Sequence, residues 1–199
     1  MALPDDGPPP PPQAVIFLDC DGVLATSRCL LLEANGADVV LHEEDKWCPM
    51  ERRCLGELAR VVNTVRETHA GVRVGVVLST TWRRDPDQRQ FLVSALTVVG
   101  VEVVGDTPVL SSRGEEVMAW LGDHATGTPS GGVKAWIVLD DDKDRHGPGF
   151  EAFLSDPSRV VWTILRDVEA PWKEGLTKDA ADVCIEKLVG QLTASEAAK

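Results

Sequence analysis

The sequence predicts a three-layer α/β domain, a parallel sheet with helices on both faces. Three observations carry that reading. The strand-like runs, such as "AVIFL" and "AWIVL", are apolar throughout rather than alternating, as in strands buried on both faces. They alternate along the chain with helical repeats. The length of 199 residues and an apolar fraction of 43% suit one domain with a substantial core and exclude wholesale disorder.

The elements follow in order. Residues 1–13 form a leader with a proline run from Pro8 to Pro12, read as an extended, solvated tail. Ala14 to Leu18 is the first strand. From Glu51 to Thr68 the apolar residues Leu55, Leu58, Val62 and Val65 recur at helical spacing. Val72 to Leu78 is the second strand. Asp85, Pro86 and Gln88 then start a helix: an N-cap Asp, Pro at the first position and Gln at the third. Phe91, Leu92, Ala95 and Leu96 form its inner face. Val101 to Val104 is the third strand. Ser112 and Glu115 make a capping box that opens a helix through Val117, Met118, Trp120 and Leu121. Ala135 to Leu139 and Val160 to Ile164 are the fourth and fifth strands. Thr177 caps a last helix with Ala181, Cys184, Ile185, Leu188 and Leu192 on one face. The domain is expected to span 14–193, with a short tail at 194–199.

Composition narrows the function classes. Twenty basic against 32 acidic residues give a net charge of -12, which argues against extended nucleic-acid binding. Arg28, Arg83, Arg84, Arg89 and Arg145 leave room for a local basic groove. No apolar stretch approaches the roughly 18 residues of a membrane span, and the first residues lack a secretory signal. The five cysteines, Cys20, Cys29, Cys48, Cys54 and Cys184, read as reduced thiols in a cytosolic or nuclear setting. Cys48 and Cys54 with His42 lack the paired spacing of a zinc site. No glycine-rich kinase loop is present.

Ligands of parallel α/β sheets bind beyond the carboxyl ends of the strands. Here those ends carry Asp19 and Asp21 after the first strand, Ser79, Thr80 and Thr81 after the second, and Asp140, Asp141 and Asp142 after the fourth. So many carboxylates at one edge are tolerated when a divalent cation sits among them. Mg2+ suits this set, because it takes a few carboxylates, waters and a substrate phosphate. The hydroxyls and Arg113 then hold the other phosphate oxygens.

In order, "FLDCDGVL", "VVLSTTWRR", "RGEEVMAWL" and "IVLDDD" resemble the four motifs of the haloacid dehalogenase (HAD) superfamily. More narrowly, the chain resembles the capless HAD domain found in multidomain RNA-repair proteins, with its Ser/Thr-rich second motif, Arg-Gly-x-Glu helix start and Gly-Leu-Thr segment before the last helix. The resemblance covers about Val15 to Leu192. It implies a Rossmann-like parallel sheet and a Mg2+-dependent phosphatase that forms an aspartyl phosphate. Asp19 takes the place of the nucleophile. Asp21 takes that of the acid/base, its proton affinity raised by the Asp19 charge while Mg2+ keeps Asp19 ionised. Gly22 lets the chain turn beside the site. Ser79, with Thr80 and Thr81 as alternatives by register, binds the phosphoryl group. Arg113 stands where the superfamily usually has Lys. Asp140 and Asp141 complete the Mg2+ shell with the Asp19 carboxylate and the Asp21 backbone carbonyl. Asp142 and Asp144 are alternatives in that shell.

Residues 28–47 are too few for a full cap domain, so the expectation is a small flap and an open site. Such a site admits phosphoproteins, nucleic-acid ends or phosphorylated glycans. A loop at Lys143 to Gly149 is expected over the site. Trp82 and Arg83 are expected to brace it, and Cys20 to point into the fold. The competing readings are a HAD-fold binding module with reduced turnover, a nucleic-acid-end phosphatase, and a receiver-type phosphoacceptor. The last is disfavoured because the third strand is expected to end at Val104 and Gly105, without an Asp.

Overall fold

Five parallel strands form the centre of the computed structural model, which describes residues 12–29, 39–41, 49–125, 132–141, 156–163 and 174–198. In chain order these strands are β1 (Ala14–Leu18), β4 (Val74–Leu78), β5 (Val103–Asp106), β6 (Ala135–Asp140) and β7 (Val160–Trp162). Their spatial order is β5-β4-β1-β6-β7, so β1 lies in the middle. Two short strands, β2 (Val39–Val40) and β3 (Met50–Glu51), pair antiparallel outside this sheet.

The helices are α1 (Arg52–Thr68), α2 (Pro86–Val98), α3 (Arg113–Ala125) and α4 (Lys178–Ala197). Successive strand side chains point to opposite faces. One face (Ile16, Leu18, Val76, Leu78, Ile137 and Leu139) joins a core with the buried residues of α1, α2 and α4. On the other, Val15, Phe17, Val77, Trp136 and Val138 pack on Val117, Trp120 and Leu121 of α3. Phe17 meets Trp120 and Trp136 edge-on, with ring centroids 5.4 and 6.2 Å apart. This second core is smaller, and aromatic rings fill it.

The helix starts use the side chains expected of them. Asp85 accepts hydrogen bonds from the Asp87 and Gln88 backbone N–H groups, both at 3.0 Å. Thr177 accepts from Ala180 at 3.3 Å. At α3 half of the capping box forms: Ser112 accepts from the Glu115 N–H at 3.2 Å, while the Glu115 carboxylate takes the Ser111 hydroxyl.

Several boundaries differ from the expected ones. Glu51 belongs to β3, so α1 starts one residue later. The second strand begins at Val74 rather than Val72. The third runs from Val103 to Asp106 rather than from Val101 to Val104. Val101 N–H is spent on the Leu96 carbonyl at 3.0 Å, closing the end of α2 before the ladder begins. The third strand therefore does end on an acid, but Asp106 sits on the sheet's edge and pairs with Arg89 at 2.8 Å. The fourth strand runs one residue further, to Asp140. Helix α4 continues through Ala197, past the boundary expected at 193. The proline run, most of the flap at 28–47, the 143–149 loop, Asp142, Asp144, His42, Cys48 and Ile164 lie outside the described residues.

Candidate active site

The sheet's backbone ladder extends one residue beyond the strands and so fixes the site. Asp19 N–H donates to the Leu139 carbonyl at 3.0 Å, and Ser79 N–H to the Leu18 carbonyl at 2.8 Å. Thr163 N–H donates to the Asp140 carbonyl at 2.9 Å. The first residues after β1 and β4 and the last of β6 are thereby held in one row at the carboxyl edge. The β1–β4 and β1–β6 pairings are unbroken over the full length of β1, so this row has a defined register.

After Asp19 the chain turns at once. The N–H groups of Val23, Leu24 and Ala25 all converge on the Cys20 carbonyl, and Gly22 N–H reaches the Ala25 carbonyl at 2.7 Å. Gly22 has φ +69°, a conformation that β-carbon-bearing residues adopt at a cost. It also has no room for a side chain, since a β-carbon there would lie 2.2 Å from the Asp141 carboxyl group. The turn thus brings the backbone of the first motif against the fourth. The Thr163 hydroxyl adds a tie, donating to the Gly22 carbonyl at 2.8 Å. Cys20 is fully buried in the core beneath the turn.

The side chains form three groups. In the first, one carboxylate oxygen from each of Asp19, Asp140 and Asp141 lies within 4.8 Å of the others. Arg113 binds two of these acids, Asp19 at 3.1 Å and Asp140 at 2.9 Å. In the second group, Trp82 donates its indole N–H to both oxygens of Asp21, each at 3.1 Å. The third group is the loop after β4. Ser79 and Thr80 are both fully buried. Thr80 accepts from the Trp82 N–H at 3.4 Å and caps a 3-10 turn at Thr81–Arg84. Its oxygen serves as an acceptor within this turn, a use that a hydroxyl can combine with donating its own proton. The Ser79 hydroxyl has no partner among the described residues.

Electrostatics follow from burial. Loss of hydration raises Asp19 from an ordinary carboxyl pKa to about 6; Arg113 pulls it down and Asp140 pushes it up. Arg113 has burial against its charge, but the two acids outweigh this and hold its pKa above the usual value. Asp21 is also raised. Partial desolvation is the first cause, rather than the Asp19 charge expected from the sequence, and the Trp82 bond opposes it.

A magnesium ion fits the first group. Oxygen donors of three carboxyl groups converge there, two of the three acids are buried, and Arg113 pairs with Asp19 and Asp140. Such a cation would be held by Asp19, Asp140 and Asp141. The unpartnered Ser79 hydroxyl supplies a donor in the same row of strand ends.

Sequence reasoning missed one feature here. Arg83 pairs with Glu116 at 2.8 Å, and both side chains are nearly buried, 4% and 6% exposed. Arg83 also donates to the carbonyls of Thr107 at 3.0 Å, Pro108 at 3.2 Å and Thr80. The second Glu of "RGEE" one helical turn from Arg113 was the available signal. Of the arginines considered for a local basic groove, Arg83 is buried in this pair, Arg89 pairs with Asp106, and Arg28 lies 3.8 Å from Glu51. Arg145 lies outside the described residues.

Among the described residues no helix is long and apolar enough to cross a membrane. A search of curated proteins and of solved structures returned no match. A family model described as "HAD domain in Swiss Army Knife RNA repair proteins" matches residues 15–155, which hold Asp19, Asp21, Ser79, Arg113, Asp140 and Asp141. Membership of this superfamily points to phosphatase-type hydrolase chemistry. The four strand-end motifs and the family match agree: this chain belongs to the family of HAD domains in Swiss Army Knife RNA repair proteins.

Proposed function

We propose that the protein is a Mg2+-dependent phosphatase that hydrolyses a phosphomonoester through an aspartyl phosphate on Asp19. The observation that carries this reading is the convergence of Asp19, Asp140 and Asp141, two of them buried, with Arg113 bound to two of the three. A bound Mg2+ would draw charge from the phosphate and keep Asp19 ionised at neutral pH.

The chain's own residues do the rest. Asp19 attacks phosphorus with one carboxylate oxygen, and the bond to the ester oxygen breaks. Asp21 gives its proton to that leaving oxygen. It then takes a proton from the water that attacks the acyl phosphate, so that Asp19 and inorganic phosphate are released and Asp21 is reprotonated. Arg113 and the Ser79 hydroxyl bind the non-bridging oxygens as charge redistributes. Arg113 opens α3, so the helix N-terminus adds backbone N–H groups on the same side.

The family description supports a narrower reading of the substrate, the terminal phosphate of an RNA end. A net charge of -12 opposes a long electrostatic footprint but not capture of one terminal phosphate. The test is hydrolysis of p-nitrophenyl phosphate with Mg2+ and with chelator, by the full chain and by Asp19→Asn. Metal-dependent turnover absent from the variant supports the mechanism; equal turnover by both sinks it. Terminally phosphorylated oligonucleotides, compared with phosphopeptides at equal concentration, then test the narrower reading.

A further inference from the structure

We propose that Trp82 is the positioning residue for Asp21, holding its carboxylate in the orientation needed for acid/base work. This rests on the phosphatase reading above and goes beyond it. The aspartate χ2 torsion is broad and two-fold, so a carboxylate at the mouth of a site sweeps through many orientations unless something holds it. Asp21 is exposed, in contrast to the buried Asp19. What holds it is one N–H forked evenly across both oxygens, at 3.1 Å each.

The donor itself is fixed. Trp82 is only 3% exposed and belongs to the main core. Its ring stacks on Phe91 of α2, with centroids 6.4 Å apart and planes 19° from parallel. Its backbone N–H is bound to Thr80, next to Ser79. A rigid indole anchored in the loop of the second motif therefore sets the orientation of a side chain from the first. A ring needed only for packing would not require a polar edge here. Buried indole N–H groups take a partner, and this partner is the acid/base side chain.

Trp82→Phe removes the N–H and keeps a stacking ring. Loss of a positioned general acid harms poor leaving groups more than good ones, because a good one departs without the proton. With Mg2+ and the full chain, Trp82→Phe is expected to lower kcat/KM on phenyl phosphate, which reports the step that expels the leaving group, by at least about tenfold. The loss in kcat/KM on p-nitrophenyl phosphate is expected to be several times smaller. In an Asp21→Asn background the same substitution is expected to have no further effect, because it acts through Asp21. Equal losses on both esters, no loss, or a loss that persists in Asp21→Asn would overturn the assignment. Should Trp82→Phe fail to fold, Phe91→Leu loosens the indole while keeping its N–H, and the same unequal loss is expected of it; equal effects there overturn the proposal too. A wild type inert on both esters removes the phosphatase reading and this one together, whereas an active wild type with equal losses removes only this one.

Discussion

Arg83 and Glu116 form a buried ion pair, 2.8 Å apart, that joins the loop after β4 to the first turn of α3. Glu116 also accepts from the Leu110 N–H at 3.1 Å, so the segment leading to Arg113 is held at both ends. Removing one partner strands the other charge in a dry setting. Glu116→Ala is expected to cost about 3–5 kcal/mol, read from urea unfolding. Arg83→Met combined with Glu116→Leu is expected to recover most of it, because two apolar groups leave no charge behind. A double variant no more stable than Glu116→Ala would show that the guanidinium's bonds to the carbonyls matter more than the pair.

Ser79 separates stability from activity. Its hydroxyl is buried and satisfies nothing among the described residues, so Ser79→Ala gives up no hydrogen bond to any of them. The melting temperature is expected to stay level or rise slightly. Phosphatase activity is expected to fall by about 10²-fold, as when one donor to a developing oxyanion is removed. A large drop in melting temperature without a drop in kcat/KM would make Ser79 structural.

Asp19 predicts a pH dependence whose sign reverses with metal. In the metal-free fold its pKa is raised from 3.8 to about 6, so between those values the folded chain keeps a proton that the unfolded chain has released. Stability from this group is therefore full below about pH 4 and is lost as pH rises through about 6. Cation binding needs the ionised carboxylate, so stabilisation by Mg2+ grows across the same window. Melting curves in chelator and in Mg2+ from about pH 4 to about pH 7 check both halves. In chelator, a wild type that loses no more stability than Asp19→Asn as pH rises through the window would contradict the raised pKa of Asp19.

A side chain at Gly22 would be strained and would meet Asp141. Alanine there combines a left-handed φ, worth about 1–2 kcal/mol, with a clash against the Asp141 carboxyl group. Relief of the clash moves Asp141 away from Asp19 and Asp140. Gly22→Ala is expected to lose Mg2+-dependent stabilisation in a melting assay, in addition to a lower melting temperature. Retention of full Mg2+ stabilisation would place the metal elsewhere.

Much of this was legible in the sequence because it depends on local pattern. Strands buried on both faces are continuous apolar runs, and the β1 limits at Ala14 and Leu18 follow from that run alone. The N-caps at Asp85 and Thr177 are likewise set by residues a few positions away. The third strand was misplaced because "VEVV" and "VVGD" look equally extended; the choice fell to the end of α2, where Val101 serves Leu96. Residues that reach across the fold were the hardest to read. Sequence places Trp82 near the site, but its bond to Asp21 depends on how two loops 61 residues apart meet. The same is true of Arg83 with Glu116.

The central place of β1 also bears on how the molecule comes to exist. Ala14 precedes both of its partners in the sheet, Val74 on one side and Ala135 on the other. Until both have left the ribosome, the most apolar strand waits without neighbours, next to the acids it will later carry. Contacts so distant in sequence make folding slow and leave the nascent chain prone to association. Slow refolding is thus built into the topology that brings Asp19, Ser79 and Asp140 to one edge, and the catalytic centre is completed only when the sheet is.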